Sequence, residues 1–464
     1  MTATPSSATP NSLTAAIREV DARHHVHPFS DMAALNRAGS RVVTGASGVR
    51  LTDSEGAEVI DGMSGLWNVA VGYGRREIAD AVAETLATLS YTNTFFQSTH
   101  PAAARFAEAI AALLPDSINR VFFTSSGSEA NDTAFRAART YWDLKGRPAK
   151  KRFISRRNGY HGSTVLGASL GGMAPMHAQS GLPIEGISHI DQPYWFGEGR
   201  LLGMTADEYG LFAADRLAAE IDRLGADTVA AFIGEPVQGA GGVIIPPATY
   251  WPRIAEICAE RDVLLIADEV ICGFGRTGSQ WGFQSFGFTP DIVTMAKAMT
   301  SGYIPCGGVA FCDEVADTLA NGGEFFHGFT ASGHPAASAA GLANLAIMAR
   351  EKLVERVADD IGPHLQAAWS TLADHPLVGE TRMVGLIGAL EIVADEATLE
   401  RFPAEANAGT LCRDLAVKNG LIMRAVGDTM VIAPPFVLSH ADADLLVARA
   451  RATLDDCQAA LRHA

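Results

Sequence analysis

From about residue 75 onward, short runs of unbroken apolar residues alternate with longer stretches of helical period. The apolar runs are "RVFFT" at 120–124, "KRFIS" at 151–155, "TVAAFIGEP" at 228–236, "VLLIADEV" at 263–270, "DIVTMAK" at 291–297 and "GGVAFC" at 307–312. Helical stretches such as 128–145 and 249–261 separate several of them. Continuously apolar strands alternating with helices predict an α/β fold with a mostly parallel sheet covered on both faces. The pattern differs at both ends. Residues 41–71 alternate and turn, and "DSEG" between two β-prone runs predicts a hairpin in an antiparallel patch. Beyond about 335 the chain predicts a long helix, a strand pair at 383–393 and 421–436, and a last helix at 440–462. The expected organisation is a large domain over 75–335, with residues 1–74 and 336–464 forming a smaller α+β domain from both chain ends. No internal repeat or low-complexity linker interrupts it.

Composition narrows the function. The 464 residues suffice for two or three lobes and a large core. Lys and Arg number 36 against 52 Asp and Glu, a net charge of −16, which argues against nucleic acid and anionic membranes as partners. No apolar run is long enough to span a bilayer. The polar start "MTATPSSATPNSLTAA" has no apolar segment of a secretory signal and reads as a loosely attached terminus. Cys258, Cys272, Cys306, Cys312, Cys412 and Cys457 form no C-x-x-C pair and read as reduced core residues of a cytoplasmic protein. The histidines do not cluster with them at ligand spacing, so no metal is expected; "RHHVHPF" at 23–29 looks metal-like, but near a terminus it reads as a polar loop.

Candidate chemistry follows the strands, because open α/β sheets bind ligands at their carboxyl ends. After "VFFT" comes "SSGSEANDTAFRAAR", in which Ser126 and Glu129 fit a capping box. This is either a plain capped helix or a phosphate site of serine hydroxyls and free N–H groups. After "FIS", Tyr160 and His161 stand among glycines. A tyrosine there fits a half-buried loop residue or a flat surface for stacking on a ring. Asp268 and Glu269 end a buried strand, where a carboxylate is costly unless a cation faces it. That cation is a metal, an arginine or a protonated ring nitrogen. Lys297 closes "DIVTMAK" with Val293, Met295, Ala296, Ala298 and Met299 around it. It either snorkels to the surface or is buried for chemistry. A phosphorylated heteroaromatic aldehyde uses all four features together, and pyridoxal 5'-phosphate has that form.

The same stretches resemble a known family. "DGMSGLWNVAVGYG", "NGYHGSTVLGASLGG", "GEPVQGAGGVIIPPATYWP", "ADEVICGFGRTG", "AKAMTSGYIP", "HGFTASGHP" and "LIMRAVGD" closely resemble the class III pyridoxal-phosphate aminotransferases, most specifically the ω-transaminases that use pyruvate. The resemblance runs from "HPFSDMAALNRAGSRV" to "APPF". It implies fold type I and a homodimer or tetramer with active sites at subunit interfaces. It places the cofactor lysine at Lys297, the pyridinium partner at Asp268, and the ring-stacking tyrosine at Tyr160, with Val270 on the other face and His161 beside it. The phosphate segment falls on Ser126, Gly127 and Ser128, the threonine lent by the neighbouring subunit on Thr330, and a glutamate near the cofactor on Glu235. Many relatives have Lys-Gly-Leu where this chain has Lys297, Ala298 and Met299, a small apolar change at the lysine's rim.

The implied reaction is ping-pong transfer of an amino group from an amine or ω-amino acid to pyruvate, giving a carbonyl product and L-alanine. Lys297 is the proton carrier. A mobile arginine for the carboxylate falls on Arg424, whose alternative is a surface ion pair. Phe29, Trp67, Phe95 and Phe96 match pocket-lining positions suited to bulky apolar amines, and Phe96 also fits a core residue. The amine-accepting branch generally favours the S enantiomer. The donor stays open among β-alanine, taurine, diamines and aryl-alkyl amines. The alternatives are a 2-oxoglutarate acceptor, or decarboxylase, racemase or aminomutase chemistry on the same fold. A nucleotide-binding oxidoreductase is disfavoured, since no G-x-G-x-x-G follows the first strand with an acidic residue downstream. A non-catalytic binding protein would be expected to lose Lys297 or Asp268, and both are present.

Overall fold

The computed structural model describes residues 10–462. Of the start expected to be loosely attached, residues 1–9 lie outside these, and the rest belongs to the helix Pro10–His24. Seven strands form the central sheet, in the order Ile118–Thr124, Gly307–Cys312, Ile292–Met295, Leu264–Asp268, Val229–Gly234, Arg152–Arg156 and Ile187–Ile190. The five from Ile292–Met295 to Ile187–Ile190 are mutually parallel. Gly307–Cys312 runs antiparallel to both neighbours. The link from Met295 is too short for the crossover a parallel return needs. An apolar run carries no sign of strand direction, so this exception was unreadable. The edge strand Ile187–Ile190 also escaped the reading, because Ser188 and His189 break its apolar run.

Alternate residues along these fully buried strands face opposite sides of the sheet. Ala231, Ile233, Leu264, Ile266 and Ile292 share one buried cluster with Ala130, Ala134, Ala137 and Trp142 of the helix Gly127–Leu144. Phe232, Leu265, Ala267 and Val293 share another with Leu217 and Ile221 of Ala206–Leu224 and with Trp251 and Ile254 of Tyr250–Glu260. Both faces are therefore covered, and the strands have no polar side. Each fully buried Ile, Leu or Phe contributes roughly 1.5–3 kcal/mol, which makes this sheet the rigid base for what its carboxyl edge carries.

The remaining sheets are small. Val43–Ser47, Arg50–Asp53 and Glu58–Asp61 form an antiparallel meander. Its predicted turn is closed by Asp53 Oδ1, which accepts the N–H groups of Glu55 and Ala57, each at 2.9 Å. Glu58–Asp61 also pairs, in parallel, with Leu421–Ile422. The antiparallel patch stops at Asp61 rather than 71, and Ser64–Trp67 is a short irregular turn. The expected strand pair in the C-terminal part is instead a four-stranded antiparallel sheet, in the order Val378–Val384, Ile387–Ile392, Thr429–Ile432, Arg424–Val426. Arg276, wholly buried, fastens the large domain to this region by donating to Leu386 O at 2.9 Å and Pro434 O at 2.6 Å. It also donates to Ser64 Oγ at 3.3 Å. The six cysteines are free, five of them buried and Cys312 half-buried. Among the described residues no helix is long and apolar enough to cross a membrane.

Candidate active site

The sheet brings its chemistry to one edge. Asp268 ends its strand, Glu235 follows Val229–Gly234, Tyr160 and His161 follow Arg152–Arg156, and Lys297 lies just beyond Ile292–Met295. Together with Gly127, Ser128 and Val270 they line a cavity of about 140 Å³. A second cavity, of about 230 Å³, shares Gly127, Ala296 and Lys297 and is also lined by Ser126.

Asp268 is the fixed charge of the site. Its Oδ2 accepts from His161 Nδ1 at 2.7 Å and from Asn131 Nδ2 at 2.8 Å, and Oδ1 accepts from the Val270 N–H at 3.1 Å. Burial alone would push this carboxyl up. The bonds from His161, Asn131 and Val270 more than offset that and hold it below the usual carboxylate range. An ionised Asp268 requires the proton to sit on Nδ1 of His161. His161, expected to bind the cofactor, thus lines the cavity and also braces Asp268. Glu269, one residue on, goes the other way. Burial pushes it up to about 8, although it accepts the N–H groups of Gly282 at 2.8 Å and Phe283 at 2.7 Å. Of two adjacent carboxyls, one is held ionised at the cavity and the other braces a loop.

Glu235 accepts the Tyr160 N–H at 3.0 Å and the Gly239 N–H at 3.0 Å, so it fixes the backbone that carries the Tyr160 ring. Burial raises its carboxyl. The Tyr160 hydroxyl shares a hydrogen bond with Ser163 Oγ at 3.0 Å. Gly162 has φ +125° and packs so closely that a Cβ would lie 2.5 Å from Ser128 Oγ. Ser126 caps the helix that starts at Gly127, its Oγ accepting the Glu129 N–H at 3.2 Å. The Glu129 carboxylate accepts from the Ser125 N–H at 2.6 Å rather than from Ser126, one residue off the expected box. The first N–H groups of this helix have no intrahelical acceptor and remain for a ligand.

Lys297 opens a single 3₁₀ turn, Lys297–Met299, with φ +46°. Such a φ costs a non-glycine residue about 1–3 kcal/mol and persists only where the surroundings impose it. Here Asn344 imposes it, donating from Nδ2 to Ala298 O at 2.9 Å and Met299 O at 3.2 Å. The amine lines the cavity instead of snorkelling, and makes no hydrogen bond or ion pair among the described residues. Its Nζ stands 5.9 Å from the centre of the Trp67 ring. Burial lowers its pKa, partly countered by the charges of Asp268 and Glu235, which favours the neutral amine. The rim residues Ala298 and Met299, where many relatives have Gly and Leu, are buried.

Trp67 stands beside the Lys297 amine and Arg424 beside Trp67, although neither lines these two cavities. The guanidinium lies 4.9 Å from the indole centre and makes no hydrogen bond or ion pair among the described residues. Burial lowers its pKa. The surface ion pair that the sequence allowed is therefore absent among the described residues. Trp67 is 2% exposed and its Nε1–H has no acceptor. Its turn is unusual, with φ of +49° at Ser64, +66° at Gly65 and +58° at Trp67. Asp61 holds it, accepting from Met63 N at 2.9 Å, Gly65 N at 2.5 Å and Tyr73 Oη at 2.6 Å.

Four more predicted residues lie apart from these cavities or at their rim. Phe29 is 74% exposed and meets Tyr160 edge-on, with ring centres 6.3 Å apart. Phe95, Phe96 and Thr330 line neither cavity. Phe96 is 90% exposed, so it is not a core residue. Thr330 is exposed, and its carbonyl accepts from Tyr91 Oη at 2.7 Å. Asn131 and Asn344 are functional supports that the sequence reading missed. For Asn131 a signal existed, since it lies one helical turn beyond Gly127 and Ser128 and so on the same face.

The donor set suits pyridoxal phosphate. It offers an unpartnered amine, an ionised carboxylate with acceptor capacity left on Oδ1, a helix start with free N–H groups and serines, and a tyrosine held by its backbone. Comparison with known proteins agrees. The model of the family "Aminotransferase class-III" matches residues 33–454. Putrescine–pyruvate aminotransferase of Pseudomonas aeruginosa is 54% identical over 94% of this chain and 95% of its own length. A crystal structure of an (S)-enantioselective ω-transaminase from Thermomicrobium roseum superposes with a TM-score of 0.92, at 42% identity, over 96% of this chain and 98% of that one. The ω-transaminase of Pseudomonas jessenii in complex with PMP superposes with a TM-score of 0.93, at 37% identity, over 96% and 99%. Matched in sequence from residue 33 to 454 and in structure over nearly its full length, the chain belongs to the class III aminotransferases, pyridoxal-phosphate-dependent enzymes, and within them to the ω-transaminase branch.

Proposed function

We propose that this enzyme transfers the amino group of an amine or ω-amino acid to pyruvate in a ping-pong reaction, releasing a carbonyl product and L-alanine. The observation that carries the reading is Arg424, a largely buried guanidinium stacked on Trp67 with no anionic partner among the described residues. An unpaired cation beside an apolar ring is expensive unless a ligand supplies the anion. A carboxylate supplies it, by a bidentate pair. Without a carboxylate, the guanidinium rests on the indole and leaves an aromatic wall for an apolar amine. One site thus takes two unlike substrates in turn.

When bound, pyridoxal phosphate supplies an aldehyde to carry the amino group and a ring to accept electrons. The protein does the rest. Lys297, neutral and with no hydrogen-bond partner among the described residues, would take the proton from the substrate carbon and deliver it to the cofactor's aldehyde carbon. Asp268, braced by His161 and Asn131, keeps a fixed negative charge against the ring nitrogen. Tyr160 and Val270 hold the ring plane, and Ser126, Gly127 and Ser128 take the phosphate. Thr330 and Phe96, both exposed here, complete the site from a second copy of the chain, with the half-buried Phe95 beside Phe96. The similarity to a putrescine–pyruvate enzyme supports diamines as donors beside aryl-alkyl amines.

Pure enzyme with added cofactor, supplied with a panel of amines and pyruvate, should form one alanine per carbonyl product. The S form of a chiral aryl-alkyl amine should react faster than the R form. Bound cofactor with no alanine from any donor would transfer the reading to 2-oxoglutarate as acceptor, or to decarboxylase or aminomutase chemistry. A faster R form would remove the enantiopreference.

Arg424→Ala should separate the two substrates. The loss of a charge-assisted pair, about 1.5–3 kcal/mol, predicts a roughly ten- to hundredfold fall in kcat/KM for pyruvate. The half-reaction with an apolar amine should change by no more than about threefold, since that amine makes no such pair. Equal losses in both half-reactions would show that Arg424 serves the fold and not the carboxylate.

A further inference from the structure

One cluster outside this site has the form of a ligand set. Asp21 lies in the last turn of the helix Pro10–His24, and His25 and His27 follow it. Asp21 Oδ1 is 3.0 Å from His25 Nδ1 and 3.0 Å from His27 Nε2. One ligand atom from each of the three lies within 4.8 Å of the others. The two imidazole centres are 4.1 Å apart. The carboxylate is braced as metal-binding carboxylates are. Its Oδ2 accepts from Ser40 Oγ at 2.8 Å, and Ser40 O accepts from Arg18 Nε at 2.8 Å.

A single carboxylate satisfies one imidazolium. Both ring nitrogens stand at hydrogen-bond distance from one carboxylate oxygen, so each turns its N–H toward it, and a cation between them would let each ring offer a lone pair instead. Zinc-class ions bind imidazole nitrogen and carboxylate oxygen at about 2.0–2.2 Å, so neighbouring ligands around such an ion sit about 3.4 Å apart, slightly wider than the 3.0 Å from Asp21 Oδ1 to each imidazole nitrogen here. We infer that Asp21, His25 and His27 bind one divalent transition ion of the zinc class, with the remaining positions open to water. On binding, the proton on His25 Nδ1 and that on His27 Nε2 each move to the ring's other nitrogen, or to solvent from a ring that carried two, and the ion takes their place. The linkage matters because of what comes next in the chain. Phe29, two residues beyond His27, stands at φ +49° against Tyr160. The ion ties the end of the first described helix to the segment that carries this rim aromatic.

Zinc chloride titrated into the cofactor-loaded enzyme in a non-chelating buffer, followed by calorimetry, tests the site. One ion per chain is expected. Asp21→Asn, His25→Ala and His27→Ala should each weaken binding at least about tenfold, with the visible spectrum of the cofactor unchanged as the sign of an intact fold. X-ray absorption at the zinc edge should show two imidazoles in the shell. No stoichiometric binding, binding that survives all three substitutions, or a shell without imidazole would each overturn the assignment.

Discussion

Lys297→Ala should lower turnover by about a thousandfold or more, within the range of losing a positioned proton carrier together with the group that receives the cofactor. The fold should persist, for a reason visible in the site. Lys297 Nζ makes no hydrogen bond or ion pair among the described residues, and its turn is held through the carbonyls of Ala298 and Met299 by Asn344. Alanine leaves those bonds intact and removes an amine that burial already disfavours in its charged form. The thermal midpoint should therefore be unchanged or slightly raised, while after borohydride reduction, denaturation and filtration the parent keeps its cofactor attached and the variant keeps none. Near-normal activity, or cofactor still attached covalently in the variant, would overturn the assignment of Lys297.

Asp268→Asn should cost roughly a hundred- to a thousandfold in kcat, the scale of removing one preorganised charge partner. The substitution is isosteric, and the His161 Nδ1–H still has an oxygen to meet, so no buried ion is left stranded. The informative signature is spectral. Without a fixed negative charge at this position, the ring nitrogen of the bound cofactor should lose its proton at lower pH, and the absorption band should titrate where the parent's does not. A variant with parental kcat and an unshifted spectrum would assign Asp268 to packing alone.

Much of this centre was readable in the chain because its residues conflict with their surroundings. Lys297 among alanines and methionines, and Asp268 at the end of "LLIAD", both violate the rule that charges avoid apolar runs. What surrounds them was less readable. His161 stands beside Tyr160 in sequence, and its bond to Asp268 exists only because two parallel strands end at the same edge. Which member of the Asp268–Glu269 pair stays ionised depends on donors from Asn131, Gly282 and Phe283, all remote in sequence. The C-terminal strands were misread for a local reason. "MVGLIGALEIV" is apolar throughout, and its tight turn at Gly385 leaves no polar mark. Likewise a single residue, Met423, separates Leu421–Ile422 from Arg424–Val426, which join different sheets. Phe95, Phe96 and Thr330 were identified by resemblance, and a single chain does not bring them to the cavity.

The parallel pairing of Glu58–Asp61 with Leu421–Ile422 has a consequence for how the molecule comes into being. The Asp61 that closes this strand also holds the Trp67 turn, while the next strand after Ile422 carries Arg424. On the ribosome, the early strand waits with an open edge until almost the whole chain has emerged. Contacts so distant in sequence carry a high loop-closure cost and form late. An unpaired edge invites association with other chains in the meantime. The Trp67 turn and the strand of Arg424 are thus among the later parts of the molecule to be assembled, and their assembly joins segments far apart in the chain.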